Sequence, residues 1–206
     1  MRRHRPWFLV LLSAGVLALS ACGAAASSED DPRGASSEGD PKGDALVAPQ
    51  ATTLEDFESA SKTAYAAADV SLASGTWNLN DALIGTLSGD VKDGAQAARI
   101  HNSGTVTMGF DRASAGTVTI KHATYGTDAN GSWGLFYSRD QGSTWTQVGS
   151  AVTTAANSLA SATFAVNQSG NVRLQVRKLD GGTNRLDVDD ISIGDFAGGG
   201  TDAGTG

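Results

Sequence analysis

The chain has a single cysteine, Cys22, in 206 residues, so no disulfide can form within it. A domain built from it must stand on its hydrophobic core alone, even in an oxidising compartment. Histidine is scarce as well. Beyond His4 there are only His101 and His122, and neither sits in a metal-ligand spacing such as H-E-x-x-H. A G-x-S-x-G nucleophile elbow is missing. Glu55 and Glu58 are the only glutamates between Thr53 and Phe196, so a carboxylate pair for glycoside hydrolysis would have to be assembled from aspartates. Together these absences argue against an enzyme. Long apolar runs are also lacking, except for the thirteen residues Trp7–Leu19, which are too few to span a bilayer comfortably.

That one run has a meaning of its own. Arg2, Arg3 and Arg5 precede it, giving the basic and apolar regions of a signal peptide over residues 1–21. It ends in Leu19-Ser20-Ala21-Cys22, which resembles a bacterial lipobox. The resemblance implies cleavage before Cys22 and acylation of its thiol and new amino group, so the membrane is an expected partner. The other reading is an ordinary secretory signal cut near Ala21. The expected location is the cell envelope, at the outer membrane or cell surface.

Without residues 1–21 the chain keeps 15 − 3 = 12 Lys+Arg against 22 Asp+Glu, a formal charge of 12 − 22 = −10. Nucleic-acid binding depends on lysine and arginine at phosphates, so it is not expected. An acidic balance suits solubility and cation binding. Residues 22–52 hold the cysteine and then a Gly, Ala, Ser, Asp, Glu and Pro segment with almost no apolar bulk, expected to be a disordered linker. As a flexible coil it would carry the domain about 30 Å from the anchor. The Gly/Thr-rich residues 197–206 are expected to form a second tether.

Between residues 53 and 196 the apolar period is two. Val106, Met108 and Phe110 alternate with polar or small neighbours, as do Val118 and Ile120, and Val172, Leu174 and Val176. Trp133, Leu135 and Tyr137 keep the same alternation, with Phe136 out of step. Turn sequences follow at Asn130-Gly131, Asp140-Gln141-Gly142, Ser169-Gly170 and Asp180-Gly181-Gly182. The expected fold class is all-β, an antiparallel β-sandwich (jelly roll) of about ten to eleven strands. Its core should include Phe57, Ile100, Val106, Met108, Phe110, Val118, Ile120, Leu135, Phe164, Val172, Leu174, Val176 and Val188.

Several stretches carry a family resemblance: Asp56-Phe57-Glu58, Gly75-Thr76-Trp77, Asn80–Gly85, Gly142-Ser143-Thr144-Trp145 and Asn184–Ile193. They resemble a bacterial extracellular jelly-roll module, MAM-like or carbohydrate-binding-like, that accompanies secreted endonucleases and other hydrolases. The resemblance implies a non-catalytic module with its first and last strands side by side. In the resembled proteins an enzyme domain often follows, and the expectation here is a departure from that arrangement, with the Gly/Thr-rich residues 197–206 after the domain.

Three constellations remain. Ser138–Trp145 fits the S-x-D-x-G-x-T-W Asp-box of sialidases, but a propeller needs several copies, so a structural hairpin is expected. In the last strand the apolar parity switches at Asp189-Asp190, which suggests a bulge. Pairing of the terminal strands would bring Glu58 toward Asp189, and Glu58, Asp189 and Asp190 are the candidate ligands of a structural calcium ion. Solvated charges without a metal are the alternative. The wet row Arg173, Gln175 and Arg177, with Lys121, is the candidate ligand surface, and cross-strand pairing with Asp187 is its alternative. Three functions are carried forward: a lipid-anchored, non-catalytic module binding glycan or another extracellular polymer, an accessory domain of a secreted hydrolase, and a structural spacer lipoprotein.

Overall fold

The computed structural model describes residues 52–154 and 157–198. Cys22, the leader, the linker up to residue 51 and most of the Gly/Thr-rich tail lie outside the described residues.

Every regular element described is a strand: β1 Thr52–Glu55, β2 Ala68–Leu72, β3 Gly75–Gly85, β4 Ala97–Met108, β5 Arg112–Thr124, β6 Gly131–Ser138, β7 Thr146–Thr154, β8 Ala160–Lys178 and β9 Leu186–Gly194. All pairings are antiparallel, in two layers that share β4 and β8. One layer runs β2-β3-β4-β8-β6-β7, with Thr105–Thr107 of β4 against Gln175–Arg177 of β8. In the other, β9 lies between β5 on one side and β1 with the first half of β4 on the other. The first half of β8 extends this layer beyond β5. The terminal strands β1 and β9 pair as expected, Thr53 opposite Ile193.

The inward side chains of both layers form one core. Trp77, Leu79, Ile100, Met108, Ile120, Trp133, Leu135 and Leu174 are all at most 1% exposed. Burying each large side chain contributes about 1.5–3 kcal/mol. Of the core residues read from the sequence, only Phe110 is less than fully buried, and it stands edge-on to Trp77 with centroids 6.2 Å apart.

The nine strands are fewer than the ten to eleven expected, because two apparent breaks are bulges. His101–Gly104 looks like a gap, yet β4 runs through it with Asn102 at φ 46°. Ser169-Gly170 looks like a turn, yet β8 continues for 19 residues, absorbing Asn167 and Gly170 at positive φ where its register with β5 slips. Those irregularities let one strand leave one layer and join the other. The bulge expected at Asp189-Asp190 is present, with Asp190 at φ 43° and a register shift against β5.

Candidate functional site

Residues opposite one another in antiparallel register share a face. Across the first layer, Asp69, Asn78, Thr107, Gln175, Phe136 and Gln147 form one continuous outward row through six strands. Asn80, Thr105, Arg177 and Gly134 form the next row, and Arg173 opposite Ser138 begins a third. The intervening residues, Leu79, Val106, Val176 and Leu135, point into the core. The open face of this sheet is therefore polar apart from Phe136, and it carries a groove of about 490 Å³ whose far wall is Gln141, Gly142 and Trp145.

The groove side chains hold one another in place. Asn78 Nδ2 donates to Asp69 Oδ1 at 2.7 Å, and Gln175 Nε2 to Thr107 Oγ1 at 2.7 Å. Arg173 Nε donates to Asp111 Oδ1 at 2.9 Å and Nη1 to the Gln141 carbonyl at 2.9 Å. Arg177 Nε donates to Gln175 Oε1, while its guanidinium lies 4.3 Å from the Phe136 ring centre and 5.6 Å from that of Trp145. Such fixed hydrogen-bonding groups beside a half-buried indole suit a hydroxyl-rich, extended ligand.

The Asp-box hairpin builds the far wall. The Asp140 carboxylate accepts hydrogen bonds from Thr144 Oγ1 at 2.6 Å, the Thr144 N–H at 2.9 Å and Ser138 Oγ at 2.7 Å, which hold it down at about 2. Gly142 at φ +91° completes the turn, and a side chain there would press on the Trp145 ring at 3.3 Å. This single motif therefore acts as a structural hairpin that presents Trp145.

Of the expected ligand row, Arg173 and Gln175 line the groove, Arg177 stands beside it in the next row, within 5.6 Å of the Trp145 ring, and Lys121 lies elsewhere. Lys121 Nζ sits between Asp93 and Asp190, at 2.5 and 2.6 Å, on the β5–β9 side of the sandwich. The alternative pairing with Asp187 is corrected too. Arg173 takes Asp111, while Asp187 stands in register with Arg99.

The candidate calcium ligands are partly brought together. Glu58 lies beyond the end of β1 rather than in the first strand, because the Glu55 carboxylate captures the Phe57 N–H at 2.8 Å and turns the chain, with Phe57 at φ 59°. Glu58 Oε1 accepts the N–H groups of Ala95 and Gln96 at 2.7 and 2.8 Å. Asp189, fully buried, accepts the N–H groups of Asp93 and Asp190 at 2.7 and 2.8 Å. Burial pushes its carboxyl up to about 7, with the Asp190 and Glu58 charges adding to the effect. Asp190 faces Lys121 instead. Among the described residues no group of three or more His, Cys, Asp or Glu side chains is placed to share a metal ion. One signal was missed: Asp187 is also fully buried, with Oδ1 lacking a hydrogen-bond partner, and burial raises it to about 7.

Both histidines among the described residues are engaged. His122 Nδ1 meets Thr154 Oγ1 at 2.7 Å and packs on Trp133, and burial lowers its pKa. His101 lies 3.7 Å from Asp81 and 5.2 Å from the Tyr65 ring.

No family model matches the sequence, and no curated protein matches it. Solved structures do share its shape. The K2 cleaved adhesin domain of Lys-gingipain superposes with a TM-score of 0.55 at 15% identity, over 69% of this chain and 97% of that one. The K1 cleaved adhesin domain of Lys-gingipain from Porphyromonas gingivalis W83 gives 0.52 at 13% identity, over 69% and 97%. The CBM22-1 xylan-binding domain from Paenibacillus barcinonensis Xyn10C gives 0.49 at 11%, over 73% and 98%. At such identities the likeness is one of fold, an all-β sandwich.

Proposed function

We propose that the domain is a non-catalytic binding module, displayed from the cell envelope through acylated Cys22, that holds a glycan chain across the open face of its first layer. The observation that carries this reading is the polar row in register from Asp69 to Gln147, walled by the half-buried Trp145. An antiparallel sheet leaves one face to water, and here that face is lined with amide, hydroxyl and guanidinium groups, the complement of sugar hydroxyls. Trp145 offers an apolar ring to a sugar face. The adhesin domains that share the fold are named for binding, and the reading extends that role to this chain. The histidines are committed to Thr154 and Asp81, which leaves the groove without a general base of that type.

Glycan-array and affinity-electrophoresis measurements test the reading. The wild type should be retained by at least one polysaccharide, and W145A should lose most of that retention with its melting temperature nearly unchanged. Retention that survives both W145A and N78A would remove the groove from consideration. Turnover of the retained polymer, abolished by one point substitution, would overturn the non-catalytic assignment.

A further inference from the structure

Arginines in this domain that leave bulk water do so with an acid. Arg99 closes on Asp90, Arg112 on Asp195, Arg173 on Asp111 and Arg185 on Asp128, at 2.6–2.9 Å. Arg139 is exposed. Arg177 breaks the pattern. It is half-buried, lies over the Phe136 ring at 4.3 Å and has no carboxylate partner among the described residues. Its Nε is taken by Gln175, which leaves both Nη groups without a partner among the described residues.

Its surroundings leave room. The row neighbours of Arg177 are Thr105 and Gly134, both small, with Asn80 beyond Thr105. Burial lowers its pKa, a sign of a cation held without compensation. The one acid of the groove rows is Asp69, which is occupied by Asn78 in the other row, three strands beyond Gln175. A guanidinium held over an aromatic ring beside the groove, with its Nη pair uncommitted among the described residues, is a receptor for a planar anion.

We infer that the glycan taken by this groove is a polyuronate, with Arg177 binding the sugar carboxylate in bidentate fashion while Trp145 and the amide row take the ring and its hydroxyls. This rests on the groove reading above and narrows it to an acidic sugar. A sulfated chain presents three tetrahedral oxygens rather than a planar pair and fits the fork less well.

The test uses the full chain with polygalacturonate, alginate and fully methyl-esterified polygalacturonate in affinity electrophoresis, and chondroitin 4-sulfate as the sulfated arm. The uronates should bind about tenfold more tightly than the methyl ester, as expected for one charge-assisted hydrogen-bonded pair. R177Q should abolish that preference without lowering the melting temperature, and R177K should restore it only in part, because lysine lacks the fork. Equal retention of uronate and methyl ester would overturn the inference and leave the groove reading standing. Preference for the sulfated chain would overturn the choice of carboxylate. Failure of every acidic polymer while a neutral glycan is retained and lost in W145A would overturn the inference alone. Failure of all glycans would overturn both.

Discussion

Asp187 Oδ2 accepts the backbone N–H of Val91 at 2.8 Å, and two residues on Asp189 Oδ2 accepts that of Asp93 at 2.7 Å. Each bond closes 96 residues of chain, so β9 holds the segment between β3 and β4 by two parallel carboxylates. Asp90 on that segment is itself clamped by Arg99 at 2.6 and 2.8 Å.

That pair makes stability depend on pH in an unusual direction. Both carboxyls stand at about 7, against about 3.9 for an unfolded aspartate. Between those values the fold holds protons that the unfolded chain has lost. The stabilisation is complete below about 4 and is lost as pH rises through about 7. His122 works the other way, since its lowered pKa stabilises the fold above about 6.5 and that contribution fades as pH falls. Above about 6.5 the carboxyls dominate. In EDTA, the thermal midpoint should therefore fall from pH 6.5 to pH 8, and D187N should flatten the decline. A midpoint that rises across this window would contradict the assignment.

Glu55 is the second buried anchor. Its oxygens accept the Phe57 N–H at 2.8 Å, the Ser74 N–H at 3.1 Å and Ser74 Oγ at 2.6 Å, and Ser74 in turn accepts Trp77 Nε1 at 2.8 Å. E55A strands these donors in the interior, at a cost of about 1–3 kcal/mol. Urea unfolding followed by tryptophan fluorescence should show the lower midpoint, and S74A a smaller loss. A wild-type midpoint for E55A would mean that water replaces the carboxylate.

Much of this was legible in the sequence, and the failures have definite causes. Alternation located the strands and the core, and the parity switch at Asp189-Asp190 located a real bulge. Parity also set Arg173, Gln175 and Arg177 on one outward face. It could not say which layer a residue serves, which is why Lys121 was grouped with them although it lies on β5 against β9. Asp69, Asn78, Asn80 and Thr107 meet the arginines only through register across strands far apart in sequence, which a single chain does not display. Phe136 did leave a trace. It was the one large aromatic out of step in its strand, and it turned out to be the platform under Arg177. Polar residues inside β4 and β8 imitated turns because bulges and turns favour the same residues.

The anchor is tested independently of the fold. The wild-type chain expressed in a bacterium should partition into the detergent phase of Triton X-114, as acylation of Cys22 requires. C22S should stay uncleaved or become soluble. An aqueous-phase wild type would remove the lipid anchor and leave an ordinary secreted domain.

Calcium at Glu58 and Asp189 is the remaining proposal, and the structure sharpens its test. The two carboxylates are close enough that Glu58 raises the Asp189 pKa, and a like-charged pair of a fully buried Asp189 and a half-buried Glu58 is what a divalent cation relieves. Each carboxylate keeps lone pairs beyond those its backbone donors occupy. Asp190 is the weakest of the three candidates, since a metal would have to displace Lys121 from it. An ion bound only by the fold stabilises it by about 2.7 kcal/mol at a hundredfold excess over its dissociation constant. The thermal midpoint should rise from EDTA to millimolar calcium in the wild type and in D190N, and E58Q should abolish the rise. Because the ligands must ionise before they bind, the gain should be larger at pH 8 than at pH 6. Coincident midpoints in EDTA and calcium at pH 8 would dismiss the ion, and Lys121 and the backbone N–H groups would then be the only partners of these carboxylates.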